Sequence, residues 1–73
     1  MPPRFQATVY RLERLTVLKN ALDEEITTVK EMRRQFRDIN CLDYAAQTTQ
    51  ILSYLEQLRN DIHAEMQELR RRG

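Results

Sequence analysis

The chain has almost no residues that break helices. Its 73 residues include one glycine, at the last position, and two prolines, Pro2 and Pro3. Proline and glycine interrupt an α-helix more strongly than other residues, so nothing from residue 4 to residue 72 opposes helix formation. No long apolar run occurs either, which excludes a transmembrane helix of about 20 apolar residues. The sequence therefore predicts a soluble, all-α protein.

Cysteine and histidine are also scarce, because Cys41 and His63 are the only examples. One cysteine cannot form a disulfide within the chain, and these two residues supply too few ligands for a zinc site. We therefore expect no metal and no cofactor. Neither residue has the neighbours that a catalytic thiol or a general base requires, which predicts that the protein is not an enzyme. A free thiol without a secretory signal at the start indicates the reducing cytoplasm.

Charge of either sign is nearly balanced, with twelve Lys and Arg against eleven Asp and Glu and a formal net charge of +1. A strong field for nucleic acid is therefore not expected. Two arginine clusters still need an explanation, one at Arg33, Arg34 and Arg37 and one at residues 70–72. A dimeric hairpin can present such arginines to structured RNA. Their place near predicted helix C-termini, where cations are favoured by the helix dipole, explains them without RNA.

Apolar residues recur in steps of three or four in two parts of the chain, which is typical of one face of an amphipathic helix. The first set is Leu12, Leu15, Leu18, Leu22, Ile26, Val29, Met32 and Phe36. The second set is Tyr44, Thr48, Ile51, Leu55, Leu58, Ile62, Met66 and Leu69. Each set contains members seven residues apart, the interval that keeps one side of a helix against a neighbouring helix.

Between the two sets, residues 37–43 are the one place where helix signals stop and restart. Asn40 tolerates the left-handed conformation that ends a helix, and Asp43 can accept hydrogen bonds from the first turn of the next. We predict one domain, residues 1–73, folded as an antiparallel two-helix hairpin with helices at about 8–37 and 43–71. Thr8 is expected to cap the first helix, and residues 1–7 and 72–73 are expected to fray.

A hairpin this small has too little interior for its apolar residues. Surface that includes Tyr10, Val17, Leu52 and Tyr54 should be covered by another chain, so the hairpin is expected to complete a helical bundle with a partner. A homodimer in isolation is one such arrangement, because an exposed apolar surface can pair with its own copy.

Several short segments resemble a known family. They are Asp43-Tyr44 through Gln47, Ile51-Leu52, Leu55-Glu56-Gln57, Asp61-Ile62 and the earlier Arg11-Leu12-Glu13. With the hairpin pattern they are similar to the small co-chaperones for the needle subunit of bacterial type III secretion systems, the YscE/SsaE/EscE-like family. The resemblance covers most of residues 12–62.

The resemblance implies a virulence-associated cytoplasmic protein without catalytic activity. It would stabilise a tetratricopeptide-like chaperone that holds the needle subunit unpolymerised during protein transport. The implied partner-binding residues, without a decision on which point inward, are Leu15, Leu22, Tyr44, Ile51, Leu55 and Leu58. Two alternatives stay open: an RNA-binding regulator built as a homodimeric four-helix bundle, and a structural coiled-coil subunit of a larger assembly.

Overall fold

The computed structural model describes residues 4–72, which form two α-helices joined by a three-residue turn. Helix α1 spans Arg4–Asp38 and helix α2 spans Leu42–Arg72. The two helices pack side by side as a rod of 57 × 15 × 15 Å. The predicted all-α helical hairpin is therefore confirmed.

The helix ends differ slightly from the predicted ones. Helix α1 begins at Arg4, so Thr8 lies inside the helix and does not cap it. No residue from 5 to 7 disfavours helix, which explains the earlier start. Helix α2 begins one residue before, and ends one residue after, the predicted range of 43–71. Of the segments expected to fray, residues 1–3 and 73 lie outside the described residues, and the others belong to the two helices.

A hydrogen-bonded cap ends α1. Asn40 has a φ of 62°, as expected for the left-handed residue that follows a helix. The Cys41 amide donates to the Phe36 carbonyl at 2.8 Å, and the Asn40 amide donates to the Arg37 carbonyl at 3.0 Å. This pair of bonds is a Schellman motif, which satisfies carbonyls that the helix itself leaves free. The prediction for Asn40 is confirmed.

Helix α2 starts directly after this cap. The Cys41 carbonyl accepts a bond from the Ala45 amide at 3.1 Å, so Cys41 takes the N-cap position. Asp43, which was predicted to cap α2, lies in its first turn instead. Its negative charge there, and the positive charge of residues 70–72 in the last turn, both complement the helix dipole.

The two helices meet along one line of contact, which we call the seam. Its positions alternate between steps of four and three, the spacing of antiparallel coiled coils. On α1 the seam residues are Thr8, Leu12, Leu15, Lys19, Leu22, Ile26, Val29, Arg33 and Phe36. Facing them are Cys41, directly before α2, and on α2 Ala45, Thr48, Leu52, Leu55, Arg59, Ile62, Met66 and Leu69. Ile26, Ala45, Thr48, Leu52, Met66 and Leu69 are buried, and the others are half-buried.

On α1 the seam includes Thr8 and two basic residues that the apolar pattern did not predict. Lys19 and Arg33 occupy it, whereas Leu18 and Met32, one residue earlier in the chain, are exposed. Long basic side chains can do this because their methylene groups pack against apolar neighbours while the charged end reaches water.

Helix α2 shows the same one-residue offset. Leu52 and Arg59 lie in the seam, and Tyr44, Ile51 and Leu58 are exposed. The expectation that Leu52 belongs to surface left for a partner is wrong, since only 2% of this residue is exposed. Packing of two rods at one line leaves no room for a wider apolar set.

The cap at Asn40 gives a test of the turn. Replacing Asn40 by alanine should destabilise the hairpin by about 1 kcal/mol, because a Cβ without a compensating polar group is disfavoured in the left-handed region. Asn40→Gly is the matched control and should be at least as stable as the wild type. Urea unfolding followed by circular dichroism measures both. An Asn40→Ala variant as stable as Asn40→Gly would contradict this account of the turn.

Candidate functional site

Two contacts between the helices fix which residues lie level with each other. Toward the end of the hairpin that is away from the turn, Arg11 Nη1 lies 3.9 Å from Glu65 Oε1. Near the turn, the ring centroids of Phe36 and Tyr44 are 5.5 Å apart, with an interplanar angle of 43°. Arg11 and Glu65 each directly precede a seam residue. Their contact therefore places two series on the same face of the hairpin. One is formed by the residues directly before seam positions 12, 19, 26 and 33, and the other by the residues directly before seam positions 45, 52, 59 and 66.

Steps of seven from this ion pair define the face. We call it the open face, and it consists of Leu18, Glu25 and Met32 on α1, Ile39 directly after α1, and Leu58, Ile51 and Tyr44 on α2. The Phe36–Tyr44 contact and the three-residue turn set the levels: Leu58 lies between the levels of Leu18 and Glu25, Ile51 between those of Glu25 and Met32, and Tyr44 between those of Met32 and Ile39. The six apolar residues are between 43% and 68% exposed. The open face is therefore a continuous apolar surface with a single carboxylate near its middle.

The opposite face of the hairpin is largely polar. The same reasoning places these residues there: Val9, Thr16, Asp23, Lys30 and Arg37 on α1, and Leu42, Thr49, Glu56, His63 and Arg70 on α2. Asp23 Oδ1 on this side lies 3.8 Å from Arg59 Nη1, which links the helices. The hairpin thus has one apolar face and one charged face.

The three tyrosines lie in different places. Tyr44 belongs to the open face. Tyr54 borders it, because it is three residues after Ile51 and four before Leu58 on the same helix. It is 77% exposed. Tyr10 lies on the outer side of α1 with Val17, seven residues later. Two of the three tyrosines can therefore contact a molecule that covers the open face.

The six residues predicted to bind a partner fall into two groups. Tyr44, Ile51 and Leu58 lie on the open face, whereas Leu15, Leu22 and Leu55 are half-buried in the seam. The second group is already used in holding the two helices together. The sequence prediction of a partner-binding set omitted the α1 half of the open face, namely Leu18, Met32 and Ile39. No signal in the sequence separates them, because Leu18 and Met32 have the same helical spacing as the apolar residues of the seam.

The arginine clusters do not form one surface. Arg33 is half-buried in the seam, Arg37 lies on the polar face, and Arg34 contacts Glu31 and Asp38 on its own helix. Arg71 and Arg72 contact Glu68 at 3.7 and 3.3 Å, at the other end of the rod. The arginines are thus divided among separate sites, and several are already neutralised.

Residues that could carry chemistry are dispersed. His63 is exposed on the polar face, and Cys41 is half-buried in the turn beside an open depression lined by residues 40–44 and Gln47. Within residues 4–72, no three His, Cys, Asp or Glu side chains come together in a group that could hold a metal ion. Neither described helix has an apolar stretch long enough to cross a bilayer.

The chain matches no protein-family model, and comparisons with curated proteins and with solved structures also find no match. The functional interpretation therefore depends on the surfaces of the hairpin itself.

One electrostatic cluster is well defined on the surface of α1. Arg34 Nε donates to Glu31 Oε2 at 3.0 Å, and Gln35 Nε2 donates to Glu31 Oε1 at 3.2 Å. The hydrogen bond from Arg34 has the larger effect and that from Gln35 the smaller, and they lower the pKa of Glu31 from 4.5 to about 2. The same partner raises the pKa of Arg34 above its ordinary value. Because the cluster is exposed, it contributes modestly to stability and marks no reactive site.

The pH dependence of stability tests this cluster. A carboxylate whose pKa is lower in the folded chain stabilises the fold above the unfolded pKa of 4.5, and this contribution is lost as the pH falls toward 2. Glu31→Gln should therefore unfold at a lower temperature than the wild type at neutral pH, and the difference should shrink between pH 4.5 and 2. Thermal unfolding over that range measures it. The control Glu13→Gln, outside the cluster, should show no such convergence, and a constant Glu31→Gln difference would contradict the assignment.

Proposed function

We propose that this hairpin is a non-enzymatic protein-interaction module that docks onto a partner protein through its open face. The observation that carries this proposal is the contrast between the two faces of one rod. Apolar residues from both helices lie together on one side, and charged residues occupy the other. Soluble chains rarely leave a contiguous apolar surface uncovered unless it binds another molecule.

More specifically, we propose that the chain is a cytoplasmic co-chaperone of type III secretion. Its direct partner would be a tetratricopeptide-like chaperone, and through it the needle subunit. Two features support this proposal. One is the resemblance of residues 12–62 to needle-subunit co-chaperones, and the other is that Tyr44 and Ile51, within the resembling segments, belong to the open face.

This role has a direct physical basis. A needle subunit free in the cytoplasm exposes an apolar helix face through which it can polymerise, and a chaperone groove that holds this helix prevents polymerisation. Tetratricopeptide repeats are stacks of helix pairs whose terminal repeats need their apolar faces covered. A helical hairpin with one apolar face can provide this cover and so keep the chaperone folded.

Two other roles are distinguishable from this one. An RNA-binding dimer would require the arginines to act together, and their separation along the rod favours a protein partner over RNA. A structural subunit of a larger assembly would use the same open face, so only the identity of the captured partner separates it from a co-chaperone.

Substitution in the open face and in the seam should have opposite effects. The Leu58→Asp variant should keep the helix content of the wild type. Its affinity for the partner should fall at least about tenfold, because the interface would bury an unpaired carboxylate. Leu55→Asp should lower the stability of the hairpin itself, because Leu55 lies in the seam. Gln50→Asp, on the outer side of α2, is the control and should bind as the wild type does.

The measurement is affinity capture from a bacterium that secretes through a type III system, with circular dichroism of each variant. Recovery of neither a tetratricopeptide-like chaperone nor a needle subunit by the wild type would contradict the secretion role. Capture by Leu58→Asp at the wild-type level would contradict the docking surface.

A further inference from the structure

We propose that the open face receives a single amphipathic helix of the partner, seated in the groove between α1 and α2, with a lysine or arginine placed against Glu25. This inference rests on the proposed interaction role and specifies the chemistry of the partner segment. It follows from three features of the open face: its two-sided composition, its spacing and its one carboxylate.

The two-sided composition places the occupant over the seam. Residues of the two helices alternate along the open face, because Leu58 lies between the levels of Leu18 and Glu25, and Tyr44 lies beyond the level of Met32. A helix lying along only one of the rods would leave half of this surface in water. A helix in the groove contacts both and completes a three-helix bundle, in which apolar stripes of this width are buried on two sides.

The spacing describes the partner helix. Glu25 is seven residues from both Leu18 and Met32, which is about 10 Å along the helix axis in each direction. A helix aligned with this face therefore has an apolar residue, a basic residue seven positions later, and another apolar residue after seven more. The pattern is the same in either chain direction.

Glu25 is the reason that the partner helix needs a basic residue at its central position. Among the described side chains of residues 7–72, no lysine, arginine or histidine nitrogen lies within 4.0 Å of its carboxylate. Its neighbours on the open face are Leu18 and Met32 on α1 and Ile51 and Leu58 on α2. Covering this carboxylate with apolar groups alone would remove its water without replacing it, which is costly for an ionised group. A lysine or arginine of the partner helix would give this carboxylate an ionic partner in place of water.

A second copy of the chain does not supply this cation. If two open faces stacked with their turns at opposite ends, Glu25 would meet Glu25 of the copy. With the turns at the same end, Glu25 would lie between Ile51 and Leu58 of the copy. An offset that brings Arg11 to Glu25 leaves Ile39 beyond the end of the copy and uncovered. The charge on the open face therefore favours a different chain over self-association.

Synthetic peptides with this pattern test the inference on the full chain. Each peptide is an amphipathic helix of three heptads whose central stripe position is lysine, glutamate or leucine. Fluorescence anisotropy should show the lysine peptide binding at least about tenfold more tightly than the glutamate peptide. For Glu25→Lys the order should reverse, and for Glu25→Gln the preference should disappear. Glu24→Lys, which changes the neighbouring outward carboxylate, should keep the wild-type order.

Equal binding of the lysine and glutamate peptides, or no binding of any peptide, would overturn the inference. Sedimentation that shows a homodimer too tight for the lysine peptide to displace would overturn it in favour of a second copy. The proposed function is tested separately: if the wild type and Glu25→Lys capture the same chaperone equally well, the secretion role stands and the charge-matched helix is wrong.

Discussion

The structure depends on the single line along which two long helices can touch. An antiparallel pair in contact through alternating steps of four and three residues covers a narrow strip of each helix. In the part of the chain that the structure describes, this strip buries only six residues. The Schellman turn at Asn40 sets the alignment of the strip, and the Arg11–Glu65 and Asp23–Arg59 contacts lie along its two edges. Among residues 7–72, every apolar residue outside the strip is left on the surface.

Much of this arrangement could be predicted from the sequence. The absence of internal proline and glycine predicts two long helices, and Asn40 marks the turn. The two apolar sets predict six of the nine seam positions on α1 and five of the nine that face them. The remaining positions were not predicted; hydrophobicity, for example, assigns Leu18 and Leu58 to the interior ahead of Lys19 and Arg59. The geometry of helix pairing decides which of these residues enter the seam. This geometry is known only when both helices are placed together.

The docking surface could be predicted only in part, for the same reason. Tyr44, Ile51 and Leu58 were recognised as partner-binding candidates, but Leu15, Leu22 and Leu55 have the same character in the sequence and hold the hairpin together instead. A single amphipathic pattern cannot separate contact within a hairpin from contact with another chain. The separation comes from the one-residue offset between the seam and the open face, and this offset also isolates Glu25 among apolar neighbours.

The apolar residues that do not fit into the seam give this small hairpin two distinct faces. The proposed binding depends on the shape of the open face and on the position of the Glu25 carboxylate. A hairpin with a polar face and an apolar face can join a helical partner while remaining hydrated on its other side. Such a division suits a stabilising subunit, whose partner gains a covered face and whose own fold gains a third helix.

Methionine oxidation tests the division between seam and open face most directly. Met32 lies on the open face and is 43% exposed, whereas Met66 lies in the seam and is 3% exposed. Mild peroxide treatment of the monomeric chain, followed by peptide mass spectrometry, should oxidise Met32 well before Met66. In the complex with the partner, oxidation of Met32 should slow toward the rate of Met66. Faster oxidation of Met66 in the monomer, or unchanged oxidation of Met32 in the complex, would contradict the account.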